Sequence, residues 1–413
     1  GAKTKLLVFT TKHNSMQAMV DLASNNIEID GHNVVPSLQA AHVGVVRCPE
    51  GNSPHIADRL SAHRKAVYSV MHAGLARGHR ANPGAALRVE AVYGISVLLS
   101  GLASLILSSK EEKLLDQYYK VHIQRLLKLH QATPAPVVFF LAGCLPLPAK
   151  LHLRMFSLYG QLCRLRAGDN ILANQARAIY SSSCSSSKSW FWKLRQLCLQ
   201  YALPHPSEWL HNQPSKLQVK TMARSAVIQF WLAKLRSQAD HLSSLKYLQT
   251  NFLGLSTCHP MFRLCGSSPR EVEKASCQAR LLSGRYRVEA LSGHWTPWNK
   301  EGLCTLQECW RTAHAHKGTV ESLLTSCHSL SPTRVAVLQH TMQVIMGDSV
   351  LQDLVQQCMN HDAVQFWLDC TTMALVISAV QQHGQRLLST LLRLTRNYCF
   401  VIHNARNDML GEN

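Results

Sequence analysis

The 413-residue chain is 46% hydrophobic and 16% charged, long enough for two or three domains and apolar enough to fill real cores. Its 43 Lys and Arg against 24 Asp and Glu give a formal net charge of +19 and a pI near 9.5, a field that favours a polyanion partner. Fourteen cysteines without a regular pairing rhythm argue against a secreted disulfide framework and for reduced, mostly buried thiols.

Residues 1–50 read as β-rich. Leu6–Thr10 is an apolar strand and Ser15–Ala23 a short helix. Asn26–Ile29 and Val34–Val35 flank Asp30-Gly31, a hairpin signal with a loop longer than the tightest type. Ala41–Val46 reads as one further apolar strand with Gly44 inside it. From Ser53 the pattern turns helical, with apolar residues at helical spacing from Pro54 to about Leu75 and basic residues between them. Val92–Ser109 is an uncharged run of 18 residues. Five of these are Ser and two are Gly, and Glu90 and Lys110 bracket the run, so it reads as a buried helix rather than a membrane span.

Ser109 reads as the N-cap of the next helix, with Glu112 reaching back as the second half of a capping box. That helix runs to about His130 on a stripe of Leu114, Leu115, Tyr118, Ile123, Leu126 and Leu127, and Pro134 and Pro136 end it. A proline-bearing loop, Gly143–Pro148, precedes a helix over about Ala149–Arg166. Ser181–Ser189 is a low-complexity linker. Trp190–Tyr201 and Lys220–Ser243 are helices, Pro260–Gly302 is irregular, and His340–Met359 and Ala363–Asn404 return to helix. The fold class is therefore mainly α with a small β-rich N-terminal part.

The positive charge is concentrated. Between Val121 and Ala239 stand fifteen basic residues against two acids, Asp169 and Glu208, which is +13 of the +19. An ordinary solvated face mixes signs; phosphate contacts, each releasing counterions, explain an acid-poor one. Trp190-Phe191-Trp192 beside Lys193 and Arg195 could stack bases, but an aromatic staple that buries its own helix is the better reading.

Several segments resemble one family in order. Lys3-Thr4-Lys5 with its apolar strand is similar to the fourth palm motif of LINE-type (non-LTR) retrotransposon reverse transcriptases. His42-Val43-Gly44-Val45 resembles the hairpin that grips the primer terminus there. His63-Arg64-Lys65-Ala66, Gly74-Leu75-Ala76-Arg77-Gly78-His79-Arg80-Ala81-Asn82-Pro83, Tyr93-Gly94 and Leu98–Leu107 resemble the thumb. Phe366-Trp367-Leu368-Asp369-Cys370, Val380-Gln381-Gln382-His383-Gly384 and Leu394-Thr395-Arg396 resemble the family's tail, so the likeness runs through essentially the whole chain.

The resemblance implies a palm remnant over 1–52, a helical thumb bundle and basic connector over 53–180, and the Ser-rich linker at 181–189. A basic helical region over 190–300, a degenerate zinc-knuckle-like segment over 301–330 and a helical C-terminal region over 331–413 follow. It implies an RNA or DNA template/primer as partner, with neither a small-molecule substrate nor a membrane, in the nucleus or cytoplasm. The expected contacts are backbone contacts by Lys3, Lys5, His42, Gly44, Arg64, Lys65, Arg77, Arg80, Lys193 and Arg195. The family's catalytic aspartates have no match here and are expected before residue 1, so no catalytic residue is assigned, this chain alone is expected to be inactive, and polymerisation with its Mg²⁺ belongs to the intact parent. A relic without function, a recruited helical interaction protein, and a membrane-associated protein using Val92–Ser109 are the rival readings.

The family also places Cys, Cys, His and Cys downstream of the thumb as a zinc knuckle. Cys304, Cys309 and Cys327 match, but Ser322 stands where the family has His. Zinc wants four N or S donors, and three soft ligands do not close a tetrahedron. His314, His316 or His328 is left to supply the fourth, with His314 or His316 having enough chain to fold back; otherwise the site is decayed.

Overall fold

The computed structural model describes residues 6–7, 21, 28–29, 32–33, 36–37, 39–42, 45–48, 51–70, 82–165, 174, 177–178, 180, 189–266, 268–288, 299, 301–306, 308–309 and 316–411. The protein is mainly α with a small β region at its start. Among the described residues six short strands, Leu6–Leu7 (β1), Glu28–Ile29 (β2), His32–Asn33 (β3), Pro36–Ser37 (β4), Ala40–His42 (β5) and Val45–Arg47 (β6), form the β region. β1 pairs with β4 in parallel, while β2 with β3 and β5 with β6 are antiparallel.

Two expectations change here. Ile29 pairs with His32 and Glu28 with Asn33, so the second strand of this hairpin starts at His32 rather than Val34. Ala41–Val46 is not one strand. His42 pairs with Val45 and Ala41 with Val46, which makes this segment a hairpin of its own. The helix expected over Ser15–Ala23 falls outside the described residues except for helical Asp21.

The chain gathers into two compact units, one of residues 1–73, 88–118 and 146–230, the other of 74–87, 119–145 and 231–413. In the first unit, α1 (Ser53–Val70) packs with β6, with a π-helical turn, Glu90–Gly94, and with Ile95–Leu98 (α3); Pro83–Val89 (α2), residues 83–87 of which belong to the second unit, precedes that turn in the chain. Buried His55 joins hairpin to helix. Val46 N–H donates to its Nδ1 at 3.1 Å, and its Nε2 lies 3.2 Å from Ser100 O, so the proton sits on Nε2. Burial, and behind it the Arg59 and Arg47 charges, lowers the pKa of this imidazole and holds it neutral. Gly101, at φ +75°, leaves no room for a Cβ against Val45 and His55, so only glycine seats this corner.

The uncharged run Val92–Ser109 is not one continuous helix; it is helical as far as Leu98, before a short 3₁₀ turn. After α3 the chain turns at Gly101, makes a 3₁₀ turn over Leu102–Ser104 and leaves extended at Leu105. Leu98, Leu99, Leu102, Leu105 and Leu107 are buried, whereas Val92 is 78% exposed. No single helix among the described residues is long and apolar enough to cross a membrane.

Ser109–Leu126 (α4) is capped one residue earlier than its sequence suggests. Ser108 Oγ accepts from Glu111 N–H, and Glu111 Oε2 accepts from Ser108 N–H at 2.7 Å, a reciprocal box. Glu112 is thereby released for a different task. It takes Lys193 Nζ at 2.8 Å and stands 3.9 Å from His152 Nε2. Burial opposes its ionisation, but His152 and Lys193 outweigh that and hold the carboxyl below its ordinary range.

The remaining helices of this unit are Leu147–Arg164 (α6), Trp190–Gln200 (α7) and Pro206–Asn212 (α8); Ala135–Ala142 (α5), of the second unit, precedes them. Pro134 does not end α4, which stops at Leu126. It stands at the N-cap of α5, and Pro136 occupies its first turn, where the missing N–H is harmless. Phe156, Tyr159, Phe191, Tyr201 and Trp209 form the core of α6, α7 and α8 through tilted and edge-on ring contacts. Phe191 is buried and Trp190 Nε1 donates to Ala103 O, so the aromatic triplet is a staple. Lys216–Asp240 (α9) begins in this unit.

The second unit adds Pro260–Arg263 (α10), Pro269–Leu282 (α11), Val320–Thr325 (α12), Ser331–Val344 (α13), Ser349–Asp369 (α14), Ala374–His383 (α15) and Gln385–Leu410 (α16). Long α16 is its axis, with α11, α13, α14 and α15 packed around it. Trp367 stacks on Tyr398 with ring centroids 3.9 Å apart, and Gln278 Nε2 donates to Trp367 O at 2.7 Å. Gly143, at φ +60°, closes α5 where any Cβ would collide with the Thr257 carbonyl. α11 falls inside Pro260–Gly302, which reads as irregular in sequence; Ser268 caps it and Pro269 opens it.

Candidate metal centre

The second unit carries a side-chain cluster built from 299 to 330. Asn299 starts it. Its Oδ1 accepts from Leu303 N–H at 2.8 Å and its Nδ2 donates to Leu303 O at 2.7 Å, which folds the chain over Gly302. Leu303 then pairs with Lys317 in an antiparallel bridge. Cys304 N–H donates to His316 O at 3.0 Å, and Gly318 N–H to Gly302 O at 2.9 Å. This pairing sets His316 beside Cys304.

Downstream, Thr319 caps α12 in a box with Ser322, whose Oγ also donates to Lys317 O at 2.8 Å. Cys327 follows α12, with its N–H on Ser322 O at 2.7 Å. Cys309 is held by Ser329: its N–H donates to Ser329 Oγ at 3.2 Å, and the two side chains lie 3.3 Å apart.

The three thiols converge. Cys309 and Cys327 Sγ are 3.4 Å apart, and Cys304 and Cys327 Sγ 4.0 Å. With His316 they form a set of four donor atoms, all within 4.8 Å of one another. A tetrahedral ion with bonds of about 2.3 Å to sulfur puts its sulfurs about 3.8 Å apart, within the observed spread. All three cysteines are buried and none is in a disulfide, and His316 Nε2 is buried without a hydrogen-bond partner. A buried imidazole nitrogen with nothing to bond is costly unless something is to be bound there. Hydrogen bonding from the Cys304 thiol, aided by Cys309 and by His316, draws the Cys327 thiol well below its ordinary value, while the same partner and burial push Cys304 up. One thiolate is thus already favoured before a cation arrives. These four residues could hold a metal ion.

The fourth donor is His316 among the described residues. His314 lies outside them, and His328 is exposed on the far side of Cys327. Ser322, at the position where the resemblance expects His, is a helix-capping residue instead.

The other residues named from the sequence are spread over the first unit or not described. Lys3, Lys5, Gly44, Arg77 and Arg80 lie outside the described residues, and of His42 only its place in β5 is described. Arg64 and Lys65 are exposed on α1. Their neighbour His63 is buried, with Nδ1 2.8 Å from Tyr118 Oη and Nε2 3.1 Å from Glu90 Oε1, so it holds the fold. Lys193 is engaged by Glu112, whereas Arg195 is exposed.

No protein-family model matches this chain, and no curated protein or solved structure matches it.

Proposed function

We propose that this chain is the C-terminal part of a LINE-type retrotransposon reverse transcriptase, covering late palm, thumb and C-terminal region, and that it binds template and primer through their phosphate backbones. We further propose that Cys304, Cys309, His316 and Cys327 form a structural zinc site. The observation that carries this reading is the convergence of four donors although the His of the family's spacing is replaced by Ser322. The replacement is the main argument for a decayed site, and His316 supplies the donor that Ser322 cannot.

A closed Cys₃His set suits zinc, since zinc tolerates thiolate with imidazole and has no demand beyond a tetrahedron. With all four positions filled by protein, the ion would stabilise structure, not activate water. The acid-poor basic stretch and the exposed Arg64, Lys65 and Arg195 support backbone contact without sequence readout.

Gel-shift titration of the full chain against salt tests the binding. Six or so phosphate contacts predict a fall of about a thousandfold in affinity between 50 and 200 mM salt. Binding that is flat in salt would sink the backbone-contact reading.

A further inference from the structure

The first unit contains a pocket of about 180 Å³ between α6 and the start of α9 that no residue singled out above explains. Leu153, Val219 and Ala223 form an apolar floor, and Ser157 contributes a hydroxyl to its edge. Four cations complete the lining: Arg164 from the last turn of α6, and Lys216, Lys220 and Arg224 from α9. No carboxylate among the described residues lines it.

The three α9 cations recur every fourth residue, so they stand in one row about 6 Å apart along the helix. All three are exposed, and Val219 and Ala223 between them are buried. Arg164 is held in place. Its Nη1 donates to Pro214 O at 3.2 Å. A Cβ at Gly160 would stand 3.0 Å from Val219 and 3.3 Å from that nitrogen, so glycine lets α9 approach α6 and the guanidinium lie along it. Of the two acids in the basic stretch, Glu208 is committed to the cap of α8, where its Oε1 accepts from His205 N–H; Asp169 lies outside the described residues.

Four like charges around one concavity repel each other unless an anion is shared among them. A regular row suits a ligand whose charges also recur. An apolar floor beneath it suits a ligand with a non-polar body between those charges. A fixed guanidinium offers paired donors to one oxyanion.

We propose that this pocket is a phosphodiester site. Lys216, Lys220 and Arg224 track successive phosphates of a nucleic-acid strand, Arg164 grips one of them, and the intervening sugar rests on Leu153 and Val219. The proposal rests on the nucleic-acid reading and gives it a location.

The test uses the full chain and a fluorescent single-stranded oligothymidylate. The Lys216→Gln, Lys220→Gln, Arg224→Gln triple variant should lower the salt slope of log affinity by about 2, since each single-strand phosphate contact contributes about 0.7. Arg224→Gln alone, a change at one exposed position, should lower it by about 0.7. A charge-matched control, Lys110→Gln, Lys113→Gln, Arg270→Gln, removes three exposed cations outside the pocket and should leave the slope unchanged. If the wild-type chain binds with a steep slope and the pocket variants keep it, the pocket assignment is wrong while the nucleic-acid reading stands. If the wild-type chain shows no salt-dependent binding, the nucleic-acid reading falls and takes the pocket with it.

Discussion

Chelating the metal from the purified full chain should lower its melting temperature by roughly 10 °C. A ligand present at a thousand times its dissociation constant stabilises the folded state by about 4 kcal/mol, and in a unit of this size each kcal/mol shifts the transition by about 2–4 °C. Structural zinc binds more tightly than that in small domains, so the shift is a lower bound. Elemental analysis of the untreated protein should give one zinc per chain. Cys327→Ala should abolish it, because the Cys327 Sγ lies 3.4 Å from Cys309 and 4.0 Å from Cys304. His316→Ala should weaken retention, whereas Ser322→Ala should leave the metal bound and remove only a cap worth about 1 kcal/mol. The reverse pattern, metal lost with Ser322→Ala and kept with His316→Ala, would show the donor assignment to be wrong.

Asp369→Asn should destabilise the chain by about 1–3 kcal/mol at pH 7, the usual effect of leaving buried hydrogen-bond partners unsatisfied. Asp369 and His259 are both fully buried, with Oδ2 and Nε2 3.3 Å apart. Asp369 also accepts from Thr371 Oγ1 at 2.6 Å and from Thr371 N–H at 3.2 Å, and so caps the turn after α14. Burial alone would raise its pKa; the His259 charge and hydrogen bond and the Thr371 donors outweigh burial and lower it. The sign follows from the depressed folded value. The stabilisation is present above the unfolded value of about 3.9 and is lost as pH falls through it toward the folded value. Urea unfolding of wild type should therefore weaken between about pH 5 and pH 3, and Asp369→Asn should flatten that limb. An acid limb of equal depth in Asp369→Asn would remove Asp369 from the account. Thr371→Val deletes one donor and should cost about 1 kcal/mol.

Helical character was legible over α1, α4, α6, α9 and α16, whereas α11 keeps a helical period and still reads as irregular, and the helix ends were less legible. Ser108 and Ser109 are equivalent as sequence, and only packing decides which one faces Glu111 or lets Glu112 reach Lys193. Pro134 and Pro136 read as breakers because proline ends helices, but it also begins them, and α5 is one that it begins. The uncharged Val92–Ser109 run has the composition of a helix, but Gly101 sits where the chain must reverse against Val45. Ala41–Val46 alternates too weakly to fix its pairing, so strand and hairpin were both open, and the resemblance to a primer-gripping hairpin pointed to the form observed. Three of the four candidate metal donors were visible as cysteines. The fourth was one of three histidines, because spacing along the chain says nothing about which residue a distant backbone pair will bring home.

The Leu303–Lys317 bridge separates two things that most metal-binding motifs couple. Where a motif is defined by its spacing, chain length and coordination geometry are one variable, and an inserted residue moves a ligand. Here His316 is positioned by its backbone bond to Cys304, and Cys309 by Ser329, so neither donor is anchored through the connection between them. Doubling such a connection costs about 0.6 kcal/mol in closure entropy, little against the affinity of a structural ion. Six glycine and serine residues inserted after Ala313 should leave the zinc content at one per chain; loss of the ion would show that the segment itself shapes the coordination. Length in this region is then a free parameter, open to drift or to grafted sequence, while the coordination sphere keeps its form.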